Sequence, residues 1–207
     1  IQCFERILSI IESKQSFKKL IDQLKLSEKE SKINDYYIKS KLSLSSIFLN
    51  TGNWEKSKKI STELLKYKNL SSKNKYELNS TLGQYYNFKH SYKESTAYLN
   101  NALKLAHELN HNAYIATIKG KLADCEYDVG NLDLSLEGFN EELSLFSKLE
   151  DRKGIAMAEG HIGMVLFHQG NLDKSLEHFN RKYKLAKKYD AKQMVLQALG
   201  NISLIHN

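Results

Sequence analysis

Proline is absent from the 207-residue sequence, and cysteine occurs only at Cys3 and Cys125. Proline ends or kinks helices and is common in turns, so its absence favours uninterrupted helices and an all-α fold. Two cysteines without a repeated spacing exclude a disulfide framework and a cysteine-based metal centre. This cysteine usage is typical of a reducing compartment and predicts a cytoplasmic protein.

Long apolar runs are also missing, since no stretch approaches the ~18 residues that a membrane helix needs. The opening segment, IQCFERILSIIESK, carries charges within its apolar stretch and predicts an amphipathic helix, not a signal peptide. It lacks an initiator methionine, and the last helical pattern stops at IHN. We therefore expect a fragment of a larger protein, with no membrane partner.

The charge is unevenly distributed along the chain. Residues 1–80 hold 16 basic and 9 acidic residues, a balance of +7, whereas residues 81–207 hold 15 of each. The basic run around Lys56, Lys58 and Lys59 could attract nucleic acid or anionic lipid. Because aromatic residues do not interleave with these lysines, we interpret the run as a solvated face and expect no nucleic-acid partner.

An internal repeat decides the fold class. Four similar segments, in steps of 38, 40 and 40 residues, begin at Thr51, Lys89, Val129 and Gln169. An aliphatic residue followed by a small one recurs at Leu44-Ser45, Leu82-Gly83, Leu122-Ala123, Ile162-Gly163 and Ile202-Ser203, and serine recurs at Ser57, Ser95, Ser135 and Ser175. Small residues that face each other let two antiparallel helices approach closely, so each unit is predicted to be a helix pair stacked on the next.

The turn within each predicted pair has its own signals. The glycines expected to end the first helix in a left-handed conformation are Gly52, Gly130 and Gly170. The predicted N-caps of the second helices are the asparagines that follow them, Asn53, Asn131 and Asn171. Where His90 replaces the glycine, Ser91 and Glu94 predict a capping box.

This pattern resembles the tetratricopeptide repeat. The aliphatic-small pair, the Gly-Asn turn followed by Trp54 or leucine, and the small and aromatic residues of the second helix carry the resemblance over about residues 35–207. The period, GHIG at Gly160 and DRKG at Asp151 resemble the long-helix variety found in kinesin light chains, Pins-type adaptors and bacterial signalling proteins. HEAT and armadillo repeats share the period but lack this turn. The resemblance implies a right-handed superhelical solenoid of antiparallel helix pairs.

The repeat register divides the chain into units. A degenerate N-terminal helix pair is predicted over residues 1–34, followed by repeats over 35–72, 73–111, 112–151 and 152–190 and the first helix of a further repeat over 191–207. Eleven helices are predicted, near 1–14, 16–30, 35–50, 53–68, 73–88, 91–109, 112–129, 131–149, 152–169, 171–189 and 191–207.

One motif resembles an enzyme site. His107–His111 reads HELNH, the pattern by which two histidines on one helix face bind zinc beside a glutamate base. The register places its end at the break between two units, so the motif is predicted to run off its helix. His161 and His168, seven residues apart on one face, could bind a metal or respond to pH, but a partly exposed polar face is our interpretation. With Cys125 interpreted as a packing residue and no glycine-rich phosphate loop in the sequence, we expect no catalysis, cofactor or metal.

By resemblance to the family, the first helices form a concave surface on the side opposite the residues that pack into the second helices. Gly120, Gly160 and Gly200 are expected to leave room there for a ligand chain. The predicted partner-binding residues are Thr81, Gln84, Asn87, Phe88, Lys121, Asp124, Tyr127, Asp128, His161, Met164, Phe167, His168, Asn201 and Leu204. They combine rings and methionine with amide, hydroxyl and charged groups, as a peptide-binding surface requires.

The function implied by the resemblance is a protein–protein interaction scaffold that binds a peptide or protein partner in its concave groove. A peptide-sensing regulatory region of a larger bacterial signalling protein, such as a kinase, a cyclase or a transcription factor, is the alternative. A zinc hydrolase acting through HELNH is a remote alternative, because it would require bound metal at a site that the register disrupts.

Overall fold

The computed structural model describes residues 27–206, so the predicted helix near 1–14 and most of that near 16–30 lie outside the described residues. Nine helices and no strand occupy the described part. They are α1 (Ser27–Asn50), α2 (Trp54–Leu64), α3 (Ser72–Phe88), α4 (Tyr92–Glu108), α5 (Asn112–Asp128), α6 (Leu132–Lys148), α7 (Arg152–His168), α8 (Leu172–Lys188) and α9 (Lys192–His206). None of these nine is both long and apolar enough to cross a bilayer.

The helix bounds agree with the predicted ones to within one residue from α3 onward. The first two helices differ from their predicted bounds. Helix α1 is continuous through the predicted boundary at residue 35, because residues 31–34 contain no glycine or proline to end it. Helix α2 ends at Leu64, four residues before the predicted end, and the connection that follows returns Leu70 to the core, where it is 7% exposed.

The predicted left-handed glycines are confirmed. Gly52, Gly130 and Gly170 have φ angles of 78°, 87° and 78° at the ends of the first helices. His90 takes the same conformation without being glycine, with a φ of 56°. The turns between units use non-glycine residues as well, at Asn110, Glu150 and Asp190. Apart from the connection between α2 and α3, the chain therefore reverses direction at each turn by the same backbone geometry, whichever residue stands there.

The predicted helix caps are partly wrong. Asn131 occupies the N-cap position of α6 but makes no capping hydrogen bond; its Nδ2 instead donates to Glu126 Oε2 at 2.8 Å. The capping box of Ser91 does not form either, since that side chain accepts nothing from the first turn of α4. Side-chain capping is found instead at the N-termini of first helices. The Ser71 side chain accepts a hydrogen bond from the backbone N–H of Asn74, and the Asp151 carboxylate accepts from the first turn of α7.

Successive helices pack against each other in chain order and form an all-α solenoid. We call α1–α2, α3–α4, α5–α6 and α7–α8 units 1 to 4, with α9 the first helix after them. Each first helix also lies beside the first helix of the next unit, whereas no two second helices in the described part approach each other to the same extent. A curved stack brings helices together on its inner side, so the first helices form the inner row.

The repeated small residues, such as Gly163 and Ser175, lie where the two helices of a unit approach each other closely, as predicted. Ser175 Oγ donates to the carbonyl oxygen of Gly163 at 2.7 Å, and Ser95 Oγ donates to that of Gly83 at 2.8 Å. A Cβ added to Gly163 would lie 2.6 Å from the Phe179 ring. Any larger side chain at this position would therefore push α7 and α8 apart.

Candidate functional site

The inner row of first helices carries the predicted partner-binding residues. All fourteen are half-buried or exposed, and they lie at equivalent positions of α3, α5, α7 and α9. One column runs through Thr81, Lys121, His161 and Asn201, and the next runs through Gln84, Asp124, Met164 and Leu204. We call this surface the inner strip.

Contacts between neighbouring first helices join the inner strip into one surface. Asn87 Nδ2 donates to Asp128 Oδ2 at 2.7 Å, and the Tyr127 ring meets the edge of the His168 ring with centroids 5.4 Å apart. Both pairs are separated by 41 residues, so each links a helix to its counterpart in the next unit. These side chains thus contribute to unit stacking as well as to the exposed surface.

The inner strip extends one turn further toward the helix N-termini than the sequence analysis placed it. Glu77, Thr117, Met157 and Gln197 stand four residues before the first column, and each is half-buried or exposed. Met157 retains 42% of its surface. The 40-residue register would have identified them if the strip had been continued by one more helical turn.

Two charged residues on α5 dominate the electrostatics of the inner strip. Burial lowers the pKa of Lys121 to about 8, although the charge of Asp124 acts in the opposite direction. Burial raises the pKa of Asp124 to about 6, with Glu142 adding to the shift and His161 opposing it. The Lys121 ammonium group donates a hydrogen bond to Ser80 on α3. The middle of the strip therefore holds two charges that are only partly solvated.

Two buried charges from the second helices lie behind the strip, and they correct the expectation about the glycines. A Cβ on Gly120 would lie 2.4 Å from the Glu142 carboxylate, and a Cβ on Gly160 would lie 2.7 Å from Lys182. These glycines make room for a charged side chain of their own unit, not for a ligand. Gly200 alone of the three has no such neighbour within 4 Å.

The histidines of the inner strip have different surroundings. His161 Nδ1 lies 3.1 Å from Glu142 Oε2, whereas the His168 ring contacts the rings of Tyr127 and Phe167. Burial disfavours the charged form of His161, but the hydrogen bond with Glu142 and the charge of Asp124 outweigh it and raise its pKa. The seven-residue spacing places both histidines on one helix face, but their rings contact different neighbours. They therefore do not form a shared site.

The HELNH motif is broken by the fold, as the register predicts. Helix α4 ends at Glu108, Asn110 adopts a φ of 50°, and His111 caps α5 with its ring stacked on Tyr114. Two zinc-binding histidines must lie one turn apart on one helix, which these do not. Within the described residues, no group of three or more histidine, cysteine or acidic side chains has a geometry suited to a metal.

We predict that the purified protein contains no stoichiometric zinc. His107 and His111 lie on different sides of a helix break, so they cannot present two imidazoles to one ion. Elemental analysis after dialysis against a weak chelator tests this expectation. Near-stoichiometric zinc that the substitution His107→Ala removes would contradict it and restore the hydrolase alternative.

The comparison with known families supports the resemblance drawn from the sequence. Residues 114–188 match the family model described as Tetratricopeptide repeat, a range that includes most of α5 and ends with α8. No curated protein gives a significant match in a sequence search. The match to the family model therefore supports the repeat assignment for units 3 and 4, and the fold supports it for the other described helices.

Solved structures of repeat proteins share the fold at low sequence identity. BtubC from P. vanneervenii is 16% identical with a TM-score of 0.63, over 86% of this chain and 82% of that one. The STAND protein with a tetratricopeptide repeat sensor from Pyrococcus horikoshii is 20% identical with a TM-score of 0.71, over 98% of this chain. The Rap conjugation gene regulator of plasmid pLS20, in complex with a Phr peptide, is 16% identical with a TM-score of 0.70, over 88% of this chain. This chain spans only 32% of the STAND protein and 54% of the Rap regulator.

Proposed function

We propose that the chain is a protein-interaction scaffold that binds a peptide, or a peptide-like segment of a protein, along the inner strip. The observation that carries this proposal is the row of equivalent, partly exposed side chains on four successive first helices. A fold of the tetratricopeptide type is typical of interaction scaffolds and has no built-in catalytic centre. We accordingly expect the isolated chain to show no turnover.

The chemistry of the strip changes along the solenoid. Met157, Met164 and Leu204 supply apolar surface on α7 and α9, with 42% of Met157 and 54% of Leu204 exposed. Lys121 and Asp124 supply charge on α5. Methionine adapts to ligands of different shape, and desolvated charges orient a polar backbone or side chain. We therefore expect a ligand with apolar side chains toward α7 and α9 and polar groups over α5.

Aromatic residues supply the expected anchors. Tyr127 and Phe167 occupy the same column, 40 residues apart, and both are half-buried. The Tyr127 ring contacts His168, and the Phe167 ring contacts the same histidine with centroids 5.6 Å apart. Rings that are already held by neighbours lose little conformational entropy on binding, which makes them strong contributors to affinity.

A sensor region within a larger protein is the second candidate function. The observation that favours it is the STAND protein, in which a segment similar to 98% of this chain makes up 32% of a multidomain protein described as having a repeat sensor. The Rap regulator described with a bound Phr peptide points to the same ligand class. In this case the peptide bound on the inner strip would control a domain elsewhere in the protein.

The test of the proposed function is selection of ligands from a random peptide display library on the immobilised chain. The affinity of an enriched peptide is then measured by fluorescence anisotropy. The double substitution Tyr127→Ala and Phe167→Ala should weaken binding by about tenfold, equivalent to ~1.4 kcal/mol, because both rings lose their contact with the ligand.

The matched control is the double substitution Lys56→Ala and Lys59→Ala on the second helix of unit 1. Both lysines are exposed on α2, away from the inner row, so affinity should not change. Urea midpoints of all variants separate a binding defect from a folding defect. Loss of affinity in the lysine variant, with none in the ring variant, would move the site to the basic outer face.

A further inference from the structure

The joint between units 3 and 4 contains a buried charge with a single ionisable hydrogen-bond partner. Glu142 on α6 is 3% exposed, and its carboxylate occupies the space beside Gly120 on α5. Its Oε2 lies 3.1 Å from Nδ1 of His161 on α7, and the His161 ring lies 4.8 Å from the Phe139 ring. One carboxylate thus connects the inner helices of two consecutive units through the second helix between them.

The charged groups around His161 come from three of the helices that pack against α7, namely α5, α6 and α8. Helix α5 contributes Asp124, with Lys121 and Asp128 beside that carboxylate, and α6 contributes Glu142. Helix α8 contributes Lys182, which is 8% exposed and donates to Gln197 on α9 at 3.4 Å. The charges of Asp124 and Glu142 therefore favour the protonated imidazole, whereas the Lys182 ammonium group opposes its charge.

We propose that Glu142, His161 and Asp124 form a pH-sensitive clasp that holds unit 3 against unit 4 more tightly when it takes up protons. Protonated His161 compensates the buried charge of Glu142. Among the described residues, no other basic side chain lies within hydrogen-bonding distance of that carboxylate. When His161 loses its proton, Glu142 retains a neutral hydrogen bond but no counter-charge, and a buried carboxylate without one is costly. The clasp therefore weakens as the pH rises.

The direction of the effect follows from the pKa shifts of two members of the clasp, His161 and Asp124. The pKa of His161 lies above its usual value of 6.5, and that of Asp124 is raised by burial from 3.8 to about 6. These two groups consequently bind more protons in the folded chain than in the unfolded chain over this range. For Asp124 the contribution to stability is complete below about pH 4 and is lost as the pH rises through about 6. For His161 it is complete below the usual 6.5 and is lost as the pH rises through the elevated pKa.

A second pair of similar appearance serves as an internal comparison. His178 Nδ1 lies 2.6 Å from Glu159 Oε2, but both residues belong to unit 4, and Arg181 Nη1 lies 3.9 Å from the same oxygen. Glu159 thus keeps a permanent positive neighbour whatever the state of His178. The pair does not connect two units, so replacing His178 should leave the joint unaffected.

The experiment follows histidine ring signals by NMR and urea unfolding in parallel from about pH 5 to about pH 8.5. His161 in the parent chain should titrate above the usual histidine value of 6.5, and the substitution Glu142→Gln should lower its midpoint. The urea midpoint of the parent should exceed that of Glu142→Gln at about pH 6, and the difference should shrink as the pH approaches about 8.5. The substitution His178→Gln should produce no such pH-dependent difference.

Two results would overturn the clasp. One is a His161 midpoint at or below the usual 6.5 in the parent chain, a measurement that needs no variant to fold. The other is a stability difference between the parent and Glu142→Gln that stays constant across the pH range. A constant difference would assign Glu142 a packing role beside Gly120 and no electrostatic one.

Discussion

The substitution Gly163→Leu should lower the free energy of unfolding by about 2 kcal/mol or more. A Cβ at this position already lies 2.6 Å from the Phe179 ring, and Ser175 Oγ approaches the Gly163 carbonyl to 2.7 Å. Four additional carbon atoms cannot enter this crossing unless α7 and α8 separate. Separation would break the serine hydrogen bond and expose part of the unit 4 core. The urea midpoint at constant m-value measures the loss.

Gly200→Leu is the matched control for this substitution. Gly200 lies in the interior of α9, but nothing approaches its Cβ position within 4 Å. Leucine has a higher helix propensity than glycine by roughly 0.5–1 kcal/mol, so this variant should be as stable as the parent or slightly more stable. Equal urea midpoints for Gly163→Leu and the parent would show that the assigned helix crossing is wrong.

Most of the fold follows from the sequence because several independent columns share one period. Helix bounds from α3 onward agree to within one residue, since each turn is marked by a glycine or by a residue in its place. The predicted helix bounds are less accurate in unit 1. Its repeat step is shorter by two residues, and Leu70 in its connection packs into the core, so α2 ends early. Periodicity predicts helices well and the path of an irregular connection poorly.

The details that the sequence could not supply are polar contacts. Asparagine at the start of a second helix predicts a cap by propensity, yet at Asn131 a glutamate on α5 competes for the side chain. The sequence does not reveal the burial of Glu142 and Lys182, because charged residues on amphipathic helices normally face solvent. The glycines opposite them are the signal that could have revealed this burial. Gly120 and Gly160 recur where a charged side chain on the second helix needs space.

The candidate site is predictable in position and only partly in composition. Its columns follow from the helix period once the packed side is known, which is why all fourteen predicted residues retain exposure. The interactions among them are not visible in the sequence. Asn87 binds Asp128 and Tyr127 contacts His168 across 41 residues, which is one 40-residue repeat plus one position, because neighbouring first helices lie side by side.

The aromatic residues of unit 4 allow the core and the inner strip to be distinguished by experiment. Phe179 on α8 is 1% exposed and lies against Gly163, whereas Phe167 on α7 is half-buried in the strip. Phe139 holds the place of Phe179 in unit 3 and is 2% exposed. Two phenylalanines twelve residues apart should therefore contribute to different properties, one to stability and the other to binding.

The substitution Phe179→Ala should cost about 3–5 kcal/mol of unfolding free energy, because it removes a fully buried ring and leaves a cavity between α7 and α8. Phe167→Ala should cost well under half of that, because part of its ring is already exposed to solvent. Urea unfolding monitored by circular dichroism measures both losses, and peptide affinity is measured only for variants that remain folded. Unit 4 would be expected to melt before the others in Phe179→Ala, since a repeat array couples mainly nearest neighbours. Equal destabilisation by the two substitutions would show that Phe167 belongs to the core, and it would remove one of the two ring anchors from the proposed binding strip.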